Sequence, residues 1–137
     1  MEGLDKVLDA FEYESELFWT AYEMMGQMLD RAYVKKRIEM MNVSHVYIYG
    51  GGYLGIQLYN AINQFVNILS VVDKSGKLLV KCPDISVINL KEFKAVYGQE
   101  KVIITPIKHY KPIYTEVSEF VPKDKLIYLG EFLGGIL

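Results

Sequence analysis

Apolar residues recur along this chain with two different periods. Over residues 1–42 the spacing is helical. Leu4, Val7, Leu8 and Phe11 form one stripe, and Leu17, Phe18, Ala21, Met24, Met25, Met28, Leu29 and Ala32 form a second. Phe11–Ser15 is expected to separate the two helices, with Ser15 as an N-cap, and Asn42 to end the helical segment. From His45 onward, short runs of β-formers alternate with helical patterns. Strands are predicted at 45–49, 67–72, 85–88, 101–105 and 125–129, and helices at 53–64, about 90–97 and about 111–120. Residues 78–84 fit neither pattern, and Pro83 argues against a central strand there. Pro112 suits the first turn of the last helix.

Strands that alternate with helices imply a parallel sheet with right-handed crossovers. The expected fold is therefore α/β: a Rossmann-like open parallel sheet of about five strands, with helices on both faces and a helical segment in front. The expected division is 1–42, packing on the domain or on a partner, and 43–137, the nucleotide-binding unit.

The most specific signal is the first strand-to-helix junction. Gly50, Gly52 and Gly55 fit G-x-G-x-x-G directly after a strand and directly before a helix. Gly50 permits the tight turn, Gly52 lets a pyrophosphate approach bare backbone, and Gly55 lets the helix pack closely on the sheet. The backbone of Gly51 and the first-turn amides of Tyr53 and Leu54 point toward the same place, with the positive end of the helix dipole behind them. Asp73 closes the second strand about 20 residues further on, where an acid can hold a ribose diol. It favours a free 2′-hydroxyl over a 2′-phosphate, so NADP is disfavoured. Lys74 and Lys77 soften that preference.

In such sheets the ligand crevice opens where strand order reverses, here between the first and fourth strands. The loop after the fourth strand brings Thr105, Lys108, His109, Tyr110 and Lys111 to that crevice. Thr105 is placed to bond a ribose or phosphate, and His109 to stack on a base or sugar. His45 falls at the opposite end of the sheet and reads as structural. Tyr97 and Lys101 match Tyr-x-x-x-Lys, but Gly98 interrupts the helix that a catalytic pair would need.

Charge and composition add exclusions. Fifteen basic and seventeen acidic residues leave a net charge of -2, which gives no general attraction to nucleic acid or anionic membrane. Arg31 with Lys35-Lys36-Arg37 reads as a solvated helix face. The lone Cys82 forms no internal disulfide, residues 1–20 carry acids where a signal peptide would be apolar, and no apolar run is of spanning length. A cytoplasmic setting is expected. His45 and His109 have no partners at zinc-ligand spacing, so no metal is expected. The apolar end, Gly130 to Leu137, marks either a shortened chain or a tail that docks. The wide apolar arc of the front helices suits either packing on the sheet alone or an added homodimer contact.

Taken together, Val46-Tyr-Ile-Tyr-Gly-Gly-Gly-Tyr-Leu-Gly55, Val71-Val-Asp73, Ile88-Asn-Leu-Lys-Glu-Phe93, Val102-Ile-Ile-Thr105 and Leu126-Ile-Tyr-Leu129 resemble small bacterial Rossmann domains of polysaccharide and nucleotide-sugar biosynthesis. Examples are the amino-terminal domain of UDP-amino-sugar acetyltransferases and the Rossmann domain of sugar C-methyltransferases. The resemblance implies phosphate contacts at Gly50, Gly51, Gly52 and Gly55 and a ribose contact at Asp73. The acetyltransferases catalyse on a β-helix domain that this chain lacks. The turn is less similar to NADH-sensing repressors, potassium-channel regulatory domains and S-adenosylmethionine enzymes. Three readings follow. One is a binding module for NAD or a nucleotide-sugar; this is favoured, because no acid–base pair, nucleophile elbow or second substrate domain is visible. The second is an NAD-dependent oxidoreductase or epimerase completed by a partner chain. The third is an interaction protein, dimeric through its front helices, with a vestigial nucleotide site.

Overall fold

The computed structural model describes residues 19–107 and 110–134. Helix α1, described over 19–28, leads into α2 (Arg31–Met41). There follow β1 (His45–Tyr49), α3 (Tyr53–Ile62), β2 (Asn67–Val72), β3 (Val87–Ile88), α4 (Leu90–Val96), β4 (Lys101–Ile104), α5 (Tyr110–Val117), a 3₁₀ turn (Lys123–Lys125), β5 (Leu126–Tyr128) and α6 (Leu129–Phe132). The five strands form one sheet in the order β3-β2-β1-β4-β5, and every pairing is parallel. This is an α/β, Rossmann-like fold.

Parallel strands buried on both faces need apolar side chains pointing both ways. β1 shows this alternation directly. Val46 and Ile48 enter one core with Leu58 and Ile62 of α3, Val34 and Ile38 of α2, and Leu129 and Phe132 of α6. Tyr47 and Tyr49 enter the opposite core with Phe93 of α4 and Val117 of α5. The second core is aromatic: Phe93 meets Tyr47, Tyr97 and Phe120 edge-on at 4.8 to 5.5 Å between ring centres.

The front helices share the first core, where Met24 and Met28 of α1 are buried. The second apolar run does not form one continuous helix. It breaks at Leu29–Asp30, where Asp30 caps α2 by accepting the Tyr33 N–H at 3.1 Å. The expected break at Phe11–Ser15 lies outside the described residues. Asn42 ends α2 in the left-handed region, φ 52°, as its position suggested. The tail docks. Leu129, Phe132 and Leu133 are buried, the Arg37 guanidinium donates to the Phe132 carbonyl at 2.6 Å, and the Tyr33 hydroxyl donates to the Leu133 carbonyl.

β1, β2 and α3 begin where the pattern places them. β3 is only two residues long, because residues 73–86 form an irregular crossover instead of a helix. The capping box at Asn89 and Glu92 then starts α4 abruptly. Among the described residues, no helix is long and apolar enough to cross a membrane.

Replacing Asp30 by Ala removes the cap on α2 and should destabilise the protein by about 1 kcal/mol. Urea denaturation checks this, and an unchanged midpoint would contradict the capping role.

Candidate functional site at the first crossover

The carboxyl ends of β1, β2 and β4 lie side by side, carrying Gly50, Asp73 and Thr105. Pairing runs one residue past the strands: Gly50 N–H donates to the Val72 carbonyl at 2.7 Å, and Thr105 N–H to the Tyr49 carbonyl at 2.9 Å. The expected reversal of strand order between β1 and β4 is therefore present, with the glycine turn at that point.

Two of the three motif glycines are required by the fold, each for a different reason. Gly50 has φ 119°, a region that L side chains rarely adopt, and a Cβ there would lie 2.3 Å from the Thr105 hydroxyl. At Gly55 a Cβ would lie 1.8 Å from the Gly50 carbonyl oxygen, so the first turn of α3 packs directly on the strand end. Gly52 differs from both. Its backbone, φ -82° and ψ -168°, is ordinary, and nothing lies within 4 Å of where its Cβ would be. Neither conformation nor packing demands glycine here. Gly52 is also the N-cap of α3 and supplies no side-chain cap, so the opening amides of the helix keep their donor capacity. A Ser or Asp would cap the helix better by a few tenths of a kcal/mol.

Gly51 is held from the other side. Its N–H donates to Asp73 Oδ2 at 2.8 Å, and its carbonyl accepts the Leu79 N–H at 2.7 Å. Residues 77–79 thus strap the glycine turn to the loop after β2. Asp73 Oδ1 accepts from both the backbone N–H and the hydroxyl of Ser75, at 3.0 and 2.7 Å. Burial pushes the Asp73 carboxyl pKa up, but the bonds from the Ser75 hydroxyl, the Gly51 amide and the Ser75 amide outweigh it. The group is held below its ordinary value. A carboxylate has about four acceptor positions. Three are engaged here, so Oδ2 keeps room for a single ligand hydroxyl.

Of the other expected site residues, Tyr53, Leu54 and Thr105 stay beside the turn, and Lys74 does not. Tyr53 is exposed and Leu54 half-buried on the first turn of α3. Thr105 is buried; its hydroxyl donates to the Tyr49 carbonyl at 2.9 Å and fastens β4 to β1 beneath the turn. Lys74 points away into an exposed ion pair with Glu116 at 3.3 Å. Lys108 and His109 lie outside the described residues. The Tyr97 hydroxyl donates to the Glu100 carbonyl, and its pKa is pushed up to about 12 by burial first and then by Glu100, Asp124 and Tyr47. Lys101 reaches the Met41 carbonyl instead of Tyr97. A catalytic tyrosine would need the opposite shift.

Two hollows meet over Gly52. One, of about 370 Å³, is lined by Gly51, Gly52, Asp73, Ser75, Lys77, Leu78 and Leu79. The other, of about 410 Å³, runs from Gly52–Gly55, Thr105 and Pro106 to Ala21, Tyr22 and Met25 of α1. Sequence reasoning missed Ser75 and the strap, although Asp73-Lys-Ser75 carries a recognisable side-chain turn signal. It also missed α1 as a wall, for which no local signal exists.

Gly55→Ala should cost about 3 kcal/mol in urea denaturation, because two packed backbones must separate. Gly52→Ala should cost less than about 1 kcal/mol. Equal losses would contradict the distinction. Asp73 contributes stability above about pH 4, and that contribution is lost as pH falls through its depressed folded pKa. Asp73→Asn should therefore be less stable than the parent at pH 7, and the gap should narrow below about pH 4. A constant gap would contradict the assignment. No protein-family model, curated protein or solved structure matches this chain.

Proposed function

We propose that this chain is a nucleotide-binding module that holds NAD or a nucleotide-sugar, with the ligand's phosphates over Gly52. The observation that carries the reading is the unfilled space at Gly52. The fold explains Gly50 and Gly55 by strain and close approach, yet it leaves Gly52 bare at a helix start with uncapped donors. An anion uses those donors and fills that space. Asp73, on the adjoining strand end, retains acceptor capacity for a ribose hydroxyl. The resemblance to polysaccharide and nucleotide-sugar biosynthesis modules supports a place in that metabolism, in the cytoplasm. A redox or epimerase role would require a partner chain to complete the chemistry.

A second reading has one observation in its favour. Asp73 already bonds the Gly51 amide, which would otherwise face a phosphate. A fold that keeps its turn closed in this way suits an interaction protein with a vestigial site, dimeric through its front helices.

Thermal-shift titration with NAD, NADH, NADP and UDP-sugars separates these readings. A ligand at 100 times its Kd stabilises the folded state by about 2.7 kcal/mol. The binding reading expects such a shift with a nucleotide, weaker for NADP, and its loss in Gly52→Val with the fold retained. No shift with any of the four, or an unchanged shift in Gly52→Val, would overturn it.

A further inference from the structure

The two hollows that meet at Gly52 differ in chemistry. On the Asp73 side, a carboxylate, the Ser75 hydroxyl and Lys77 line the space. On the α1 side, the described lining consists of Ala21, Met25, Leu54 and Pro106, with the rings of Tyr22 and Tyr53 and the backbone of Gly52 and Gly55. Thr105 adds little polarity, because it is 1% exposed and its hydroxyl hydrogen is committed to Tyr49. No charged or amide side chain belongs to this described lining.

The wall made by α1 is fixed in place. Met24 and Met28, one turn apart, anchor the helix in the core. Ala21 and Met25, also one turn apart, then lie along the flank that faces the glycine turn. Tyr22 is held edge-on against Trp19, with 5.8 Å between ring centres.

Resting on the nucleotide reading above, we infer that α1 is a specificity element of the same site. Its chamber takes a flat, weakly polar ring attached beyond the phosphates, as in a reduced nicotinamide dinucleotide, and turns away the hexose of a nucleotide-sugar. The chamber adjoins the open space at Gly52, so a ligand whose phosphates lie there enters it with its far half. Its volume of about 410 Å³ falls within the range of small-ligand sites, about 300–1,000 Å³. A thioether and two aromatic rings make favourable contacts with a planar ring. Hexose hydroxyls placed there would give up water and find few partners among the described lining residues. The polar half of the same ligand, a ribose, belongs on the Asp73 side.

The test is calorimetric titration of the full chain with NADH, ADP-ribose, UDP-glucose and UDP, together with NADH fluorescence. The parent protein should bind NADH at least about tenfold more tightly than ADP-ribose, and UDP-glucose no more tightly than UDP. NADH emission should brighten and shift to the blue. Tyr22 and Met25 are 64% and 40% exposed, so Tyr22→Ala/Met25→Ala leaves the core intact. That double variant should lose the NADH advantage and the emission change while its ADP-ribose affinity stays within about twofold. Met25→Leu should keep both. Equal affinities for NADH and ADP-ribose, or a clear gain for UDP-glucose over UDP, would overturn the inference while the phosphate site still stood. Absence of binding by all four ligands would overturn both.

Discussion

The contact between the first turn of α3 and the end of β1 governs this site. Gly55 lies so near the Gly50 carbonyl that a single methyl group would fall within bonding distance of it. Two backbones pack there with no side chain between them. That approach sets the direction of α3, directs its first amides over the strand end, and requires the left-handed-type turn at Gly50. Thr105 closes the arrangement from below by bonding the Tyr49 carbonyl with both its amide and its hydroxyl. The turn is therefore closely packed and bonded at Gly50, Gly51 and Gly55, and Gly52 is the motif position that neither packing nor backbone conformation constrains.

The surroundings of that floor are uneven. On one side the loop after β2 folds back, bonds Gly51 through Asp73 and Leu79, and draws down the carboxyl pKa of Asp73. The resulting negative charge would oppose an anion placed beside it, while Oδ2 can still accept a hydroxyl. On the other side α1 supplies an apolar wall. Tyr49, at the end of β1, has its pKa pushed up to about 12 by burial first and then by Glu116 and Asp73, and stays neutral at ordinary pH. The asymmetry around this floor comes from the loop and from α1, neither of which belongs to the glycine motif.

Much of the architecture was legible in local pattern. His45–Tyr49 and Asn67–Val72 are dense in β-formers, and Gly50, Gly52 and Gly55 mark the junction, so strand, turn and helix agree with one another. The reversal of strand order between β1 and β4 followed from the alternation of elements. What the pattern hid was non-local. Asp30 lies, like Glu23, among helically spaced apolar residues, and its capping role shows only when α2 turns away from α1. Thr105 was singled out for its place after the fourth strand, and the pattern gave no sign that its hydroxyl bonds the Tyr49 carbonyl beneath Gly50 and Gly55. Ala21 and Met25 looked like core residues because their spacing matches that of Met24, and only the packing assigns them to the crevice.

The central claim is that an anion lies over the bare backbone at Gly52. Amide chemical-shift mapping by NMR during titration with ADP tests this most directly. The largest shifts are expected at Gly52, Tyr53, Leu54 and Gly55, with smaller ones at Gly51 and Ser75. Saturating shifts elsewhere on the molecule, with these amides unmoved, would contradict it.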